Sequence, residues 1–453
     1  MQSIDRASGV AREKAILVRV VLPTDTLNDQ PLAELTGLAE TAGANIVGEM
    51  TQRREQPDMT TYLGRGKVAE LKALAANLDA DVAIFDNDLN PAQIRNLEQA
   101  LDIKVLDRTE LILDIFATNA RSSESRLAVE LAQLEYSLPR LKRMWTHLSR
   151  IKAGIGMRGP GEKQLEVDRR LVEKRIHDLR EELGGIERRK ERLVASRHDR
   201  LTVSLVGYTN AGKSTLMNTL TGAGVLAADK LFATLDTRTR RWQLDNWGPV
   251  LLSDTVGFIR DLPHGLVHSF KATLEEARQA DLLLHVADAS NPEVLEQISA
   301  VYKVLQELHI EEKDTLLVLN KVDRLQDRSE LARIFARYPN AVPISASSGE
   351  GLRNLQHAVS EALSRSFADL DIEASASNGR LLAFLAAHGE LLERTYTEDD
   401  RVIIHCRLPQ RHLGGIRQEE GVTMRPHIDA IPTSEPESSS GLIAGNDAIE
   451  EVA

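Results

Sequence analysis

Gly207-Tyr208-Thr209-Asn210-Ala211-Gly212-Lys213-Ser214 is the stretch whose reading decides the fold. An apolar run, Leu201 to Val206, leads into it, and a helix-forming run, Thr215 to Leu220, leads out. Strand, glycine-bounded loop and helix start are the parts of a phosphate cradle. Backbone N–H groups from Gly207 through Thr215 would wrap the phosphates at the positive end of the helix. Lys213 would reach the β- and γ-phosphates, and the Ser214 hydroxyl would hold Mg²⁺.

Three further motifs follow in order, each at the end of an apolar run. Asp254-Thr255-Val256-Gly257 places Asp254 to hold Mg²⁺ through water and the Gly257 N–H to meet the γ-phosphate. In Asn320-Lys321-Val322-Asp323, Asp323 can accept from the N1–H and amino group of guanine, contacts that adenine cannot reciprocate. Asn320 would brace the site and contact the base, which the Lys321 stem covers. Ser345-Ala346 offers a backbone N–H to the guanine O6. Each motif alone is an ordinary polar strand end; all of them in order point to GTP and GDP. Strands are expected at Thr202–Val206, Val250–Ser253, Leu282–Ala287, Thr315–Leu319 and Val342–Ile344, with helices between them, one of them around His264–Gln279. The fold class is α/β, a P-loop domain with a doubly wound sheet and its ligand at the carboxyl ends of the strands.

Upstream, apolar strands at Ala15–Leu22, Asn45–Met50, Val82–Phe85 and Ile103–Leu106 alternate with helical stretches. That alternation predicts a small α/β domain with a largely parallel sheet over 1–110. Gly64-Arg65-Gly66 reads as a turn into a helix rather than a second phosphate site. Residues 111–198 turn helical. Leu127, Leu131, Leu134, Leu138, Leu141 and Leu148 recur at helical spacing, as do Leu171, Ile176, Leu179, Leu183 and Ile186. The expectation is a hairpin arm of two long helices, the first kinked at Pro139 and the second interrupted at Gly184-Gly185. The connection Ala153 to Lys163 carries four glycines. The nucleotide domain spans 199–366, a small α+β module 367–426, and a disordered acidic tail 427–453; Ser364 to Asn378 reads as a linker.

Charge separates these regions. The chain carries a net −12, yet from Tyr136 to Arg175 eleven cations stand against four anions, a local +7. Among them are Arg140, Lys142, Arg143, Arg150 and Lys152, which with the glycine-rich connection suit contact with RNA phosphates. The one cysteine, Cys406, excludes an intrachain disulfide and suits a reducing compartment. The polar Met1–Arg12 lacks the apolar core of a signal peptide, and no apolar run is long enough to span a membrane. A cytoplasmic protein, monomeric when free, is expected. His264 and His268 are one helical turn apart but have neither an acidic neighbour nor a third ligand, so they do not make a zinc site.

From about residue 12 to 366 the chain resembles the HflX family of ribosome-associated GTPases. The resemblance rests on the four motifs above, the basic loop ending Gly159-Pro160-Gly161-Glu162, and Tyr62-Leu63-Gly64-Arg65-Gly66-Lys67. It implies GTP hydrolysis, binding of the large ribosomal subunit and its rRNA through the arm, and splitting or rescue of stalled ribosomes. Likeness to GTPases with Phe-x-Thr in the intervening loop assigns Thr234 to the Mg²⁺ shell and the γ-phosphate, with Thr237 as the alternative. Lys213, Thr234 and Gly257 are then the catalytic candidates. A related group of GTPases coordinates K⁺ with an asparagine at the position of Asn210; the alternative is a loop hydrogen bond. Phe258 stands where Ras-like enzymes carry a water-orienting glutamine, so slow intrinsic hydrolysis is expected. The rivals are a GTPase of tRNA modification or ribosome assembly, and a GTP-timed adaptor with vestigial hydrolysis.

Overall fold

The computed structural model describes residues 10–23, 25, 30–144, 160–195, 201–222, 231–232, 235, 237–244, 248–260, 276–308, 310, 314–325, 327, 329–364, 367–397, 399–409, 413–416 and 421–427. The chain forms two compact units, Met1–Arg365 and Ser366–Ala453.

The first unit opens with a four-stranded parallel sheet. It is built from β1 (Lys14–Val21), β2 (Asn45–Arg53), β3 (Val82–Phe85) and β4 (Lys104–Asp107) in the order β2-β1-β3-β4. β1 is apolar on both faces because both are covered: Ile16, Val18 and Val20 enter one core, and Ala15 and Leu17 enter another. The helices are α1 (Ala33–Ala42), α2 (Arg65–Leu78) and α3 (Pro91–Leu101). Asn90 and Gln93 close a capping box at the start of α3, with Pro91 at its first turn. The Gly64 turn leads directly into α2, as the sequence suggests.

Next come α4 (Arg108–Asn119), α5 (Ser123–Met144) and α6 (Pro160–Ala195). Leu131 on α5 and Ile176, Leu179 and Leu183 on α6 are buried in one core. The pairs Arg175–Glu130 (2.7 Å) and Arg180–Glu135 (2.6 Å) join the two helices. Two expectations change here. α6 runs unbroken through Gly184 and Gly185, since a glycine pair costs only about 2 kcal/mol in a helix already held by packing. Leu171 is 61% exposed, and Val172 packs against the core in its place. The glycine-rich connection and Leu148 lie outside the described residues.

The nucleotide domain is a six-stranded sheet made of β5 (Thr202–Gly207), β6 (Arg238–Leu244), β7 (Gly248–Asp254), β8 (Leu282–Asp288), β9 (Thr315–Asn320) and β10 (Val342–Pro343). The order β10-β9-β8-β5-β7-β6 puts β5 in the middle, with successive connections leaving to either side of it. Such a switch point opens a crevice at the carboxyl ends of the strands. β6 pairs antiparallel with β7 and extends the sheet beyond the five expected strands. Its alternating pattern, with Trp242 and Leu244 inward and Arg241 and Gln243 outward, suits an edge strand with one wet face. Among the described residues the domain also has helices α7 (Lys213–Thr221), α8 (Val294–Glu307), α9 (Ser329–Arg337) and α10 (Leu352–Ser364). Most of the expected helix His264–Gln279, including both histidines, lies outside the described residues.

The second unit is an antiparallel sheet of β11 (Phe367–Ser375), β12 (Glu390–Tyr396), β13 (Arg401–Pro409) and β14 (Thr423–Pro426), in the order β12-β13-β11-β14. Helix α11 (Gly379–His388) belongs to it, and Asn378 caps that helix. The stretch expected to be a linker therefore contains an inner strand. Leu370, Ile372 and Ala374 alternate with Asp369, Asp371 and Glu373, a period-two pattern that fills a core on one side. The acidic tail after His427 lies outside the described residues.

Candidate functional site

The loop after β5 curls around its own lysine. Lys213 Nζ donates to the carbonyls of Gly207 (2.9 Å) and Tyr208 (2.8 Å). Burial pushes its ammonium pKa down to about 8, against the opposing pull of Asp254. Gly212 has φ +91, and a Cβ there would come within 2.2 Å of Asn320 Nδ2, so glycine serves both conformation and contact. Asn210, at the exposed tip, adopts φ +59. Ser214 Oγ donates to Asp254 Oδ2 at 2.6 Å, which brings together the two hard oxygen donors picked out for Mg²⁺. Thr215 follows them in the first turn of α7. Thr234 lies outside the described residues, and its alternative Thr237 faces Glu276 Oε1 at 3.3 Å.

The segment after Asp254 lies against this loop. Phe258 N–H donates to the Gly207 carbonyl (3.0 Å), and Thr209 N–H to that of Phe258 (2.7 Å). A Cβ on Gly257 would stand 2.8 Å from Thr209 Cγ2 and 3.1 Å from Lys213 Nζ, so only glycine permits this approach. The Phe258 ring is in the core, where it leaves no polar group for a water.

Asn320 joins the remaining motifs. Its Nδ2 donates to the Ala211 carbonyl (2.8 Å), and its Oδ1 accepts from Ala346 N–H (2.9 Å). Ser345 N–H donates to the Glu350 carbonyl at 2.9 Å. The two donors considered for guanine O6 are thus engaged within the protein, and reading the base through them requires one to be shared. Lys321, at φ +64, pairs with Asp288 at 2.8 Å. Asp323 is held below the usual carboxylate range, first by a hydrogen bond from the Ser345 side chain.

A second layer escaped the sequence reading. Tyr208 OH donates to Glu34 Oε1 on α1 and accepts from Arg260 N–H at 2.8 Å. Glu34 Oε2 also takes Arg108 (3.0 Å) and Arg260 (3.4 Å). Asp86 pairs with Arg108 (2.7 Å), Arg19 (3.2 Å) and Arg260 (3.4 Å). Burial disfavours the Arg108 charge, but Glu34 and Asp86 outweigh it and keep the guanidinium protonated. The phosphate loop and the segment after Asp254 are therefore both bonded to the N-terminal sheet and its helices. No local pattern marks Glu34, Asp86 or Arg108; only Arg260, six residues past Asp254, lay near a motif.

His285 on β8 is buried, and its Nδ1 has no hydrogen-bond partner among the described residues. Burial, then the charge of Lys213, pushes its pKa down to about 3 from 6.5. The folded state therefore excludes a proton that the unfolded chain takes up below pH 6.5. The stability that depends on neutral His285 is complete above that pH and is lost as pH falls toward 3. Between pH 7 and pH 5 the parent should lose roughly 2 kcal/mol more than His285→Leu in urea unfolding. Parallel pH curves for the two proteins would remove His285 from the acid response.

Residues 29–117 match the family described as GTP-binding GTPase N-terminal, and 119–197 match GTP-binding GTPase Middle Region. Residues 202–321 match 50S ribosome-binding GTPase. The chain is 45% identical over 423 residues to the GTPase HflX of Magnetococcus marinus, covering 92% of this chain and 98% of that protein. It is 46% identical over 402 residues to the GTPase HflX of Escherichia coli, covering 88% of this chain and 94% of that one. No helix among the described residues is long and apolar enough to cross a membrane.

Proposed function

The chain belongs to the HflX family of GTPases, and from that premise we propose that its nucleotide state gates binding of the arm to the large ribosomal subunit and its rRNA, in the service of splitting or rescuing stalled ribosomes. The chain is a GTP hydrolase with a ribosome-binding type of GTPase domain. The observation that carries the gating is Glu34. It holds Tyr208 of the phosphate loop and Arg260 of the segment after Asp254 from α1, in the N-terminal α/β part that leads into the arm. A γ-phosphate that moves the Gly257 segment would be felt at α1 and α4 without leaving this ion-pair network.

In this reading Lys213 leaves the loop carbonyls for the β- and γ-phosphates, and Gly257 N–H meets the γ-phosphate. Asn320, Lys321, Asp323, Ser345 and Ala346 enclose the guanine. Ser214 and Asp254, with Thr234, would hold Mg²⁺, which would neutralise charge on the phosphates. The test is sedimentation with purified ribosomal subunits. Association with the large subunit should be strong with a non-hydrolysable GTP analogue and weak with GDP; equal association in both states would end the gating reading.

With Phe258 in the core, the position after Gly257 offers no side chain to orient water, and a cation at Asn210 is one source of the transition-state charge. Hydrolysis measured at equal ionic strength in KCl and NaCl distinguishes a K⁺ ligand from a loop residue. The K⁺ reading expects a rate at least tenfold higher in KCl, and equal rates would leave Asn210 as a loop residue only.

A further inference from the structure

We propose that the polar face of the C-terminal sheet is a divalent-cation site formed by Asp371, His405 and His427, with the donor set of Zn²⁺. The three residues come from three neighbouring strands or their ends. Asp371 on β11 is in register with His405 on β13. His427 follows β14, where its N–H donates to the Asp369 carbonyl at 3.0 Å. One ligand atom from each of the three lies within 4.8 Å of the others. A contraction of at most about 1.5 Å brings such a set to the edge lengths of a tetrahedron with metal–ligand bonds near 2.0–2.1 Å, with water completing the fourth position.

The sheet makes this face by alternation. Leu370, Ile372, Ile404 and Cys406 fill the core behind it, and burial pushes the Cys406 thiol up to about 12, so sulfur takes no part. In front, the imidazoles of His405 and His427 stack with centroids 3.5 Å apart and planes 16° apart. Stacked rings at that distance repel if both carry a proton charge; to share one divalent cation, one ring must turn out of the stack so that its in-plane nitrogen lone pair meets the ion. His427 Nδ1 lies 2.8 Å from Asp371 Oδ1, so the proton between them occupies the place that a cation would take. Asp369 plays a different part. It accepts from His405 Nε2 at 2.7 Å and from Arg407 at 3.2 Å, and so orients an imidazole in the way that outer carboxylates orient metal-bound histidines. Arg425, across from Asp371 on β14, and Arg407 are the cations that a metal must tolerate. Two imidazoles and a carboxylate favour a borderline ion such as Zn²⁺ over Mg²⁺ or Ca²⁺, which prefer all-oxygen shells.

The experiment uses the full chain, stripped by a chelator and free of nucleotide, titrated with Zn²⁺ against a chromophoric competitor. The parent should take up one equivalent that excess Mg²⁺ does not displace. His405→Ala, His427→Ala and the near-isosteric Asp371→Asn should each weaken that equivalent at least tenfold, while Asp254→Asn leaves it unchanged. Circular dichroism of each variant separates loss of ligand from loss of fold, and Asp371→Asn keeps the shape of the site. A parent that takes up no Zn²⁺, or variants with intact spectra that hold it as tightly as the parent, would overturn the proposal.

Discussion

Asp323→Asn should convert a guanine-nucleotide site into one that prefers xanthine nucleotides. The Asp323 carboxylate is kept ionised, first by the Ser345 side chain and further by the charge of Arg324, so it stands ready to accept from N1–H and the amino group of guanine. Asparagine turns one acceptor into an amide donor that faces the guanine amino group, whereas xanthine offers a carbonyl at that position. Loss of a charge-assisted pair together with a donor facing a donor costs roughly 3–5 kcal/mol, or about two to four orders of magnitude in affinity. Competition between GDP and XDP measures the switch, and ATP should compete with neither protein for the site. Unchanged guanine preference in the variant would remove Asp323 from base reading.

The second large effect concerns the arm. Lys142, Arg143, Arg150 and Lys152 replaced together by alanine should weaken binding to the large ribosomal subunit and flatten its salt dependence. If all four neutralise phosphates, the logarithmic slope falls by about 3. Arg140 is left out of the set because its guanidinium is committed inside the protein. It pairs with buried Asp107 at 3.0 Å and lies over the Tyr136 ring, so its removal would leave a buried carboxylate without its cation. Shortening Gly154–Gly161 should instead spare much of the binding and abolish ribosome-stimulated GTP turnover. Intrinsic GDP affinity should survive both changes, because the residues proposed to hold nucleotide lie between 207 and 346. Arm variants that bind and respond to ribosomes like the parent would reduce the arm to scaffold.

Local patterns carried the nucleotide domain a long way. The cradle from Gly207 to Ser214, the turn at Gly257 and the polar strand ends at Asp254 and Asn320 depend on neighbours within a few residues. Backbone conformation and hydrogen-bond chemistry at that range are written in residue type and spacing. The alternation of apolar runs in the N-terminal sheet was legible for the same reason. Edge strand β6 and inner strand β11 were passed over because half of each faces water, and short alternating stretches with many charges resemble loops.

Long-range pairing is where the sequence was silent. The bonds Tyr208–Glu34 and Arg260–Asp86 each cross 174 residues, and nothing beside Glu34 or Asp86 announces the partner. The same holds for the donor engagement of Ala346 and for Arg140, which reads as one more cation until Asp107 is seen beneath it. Composition and spacing determined that this chain carries a P-loop GTPase domain behind an α/β domain, and they led to the residues proposed to read guanine and to the arm proposed to meet RNA. Tertiary structure decided which charges are spent inside the protein and which elements hold the loop, because an ion pair is defined by distance in space and leaves no period in the chain.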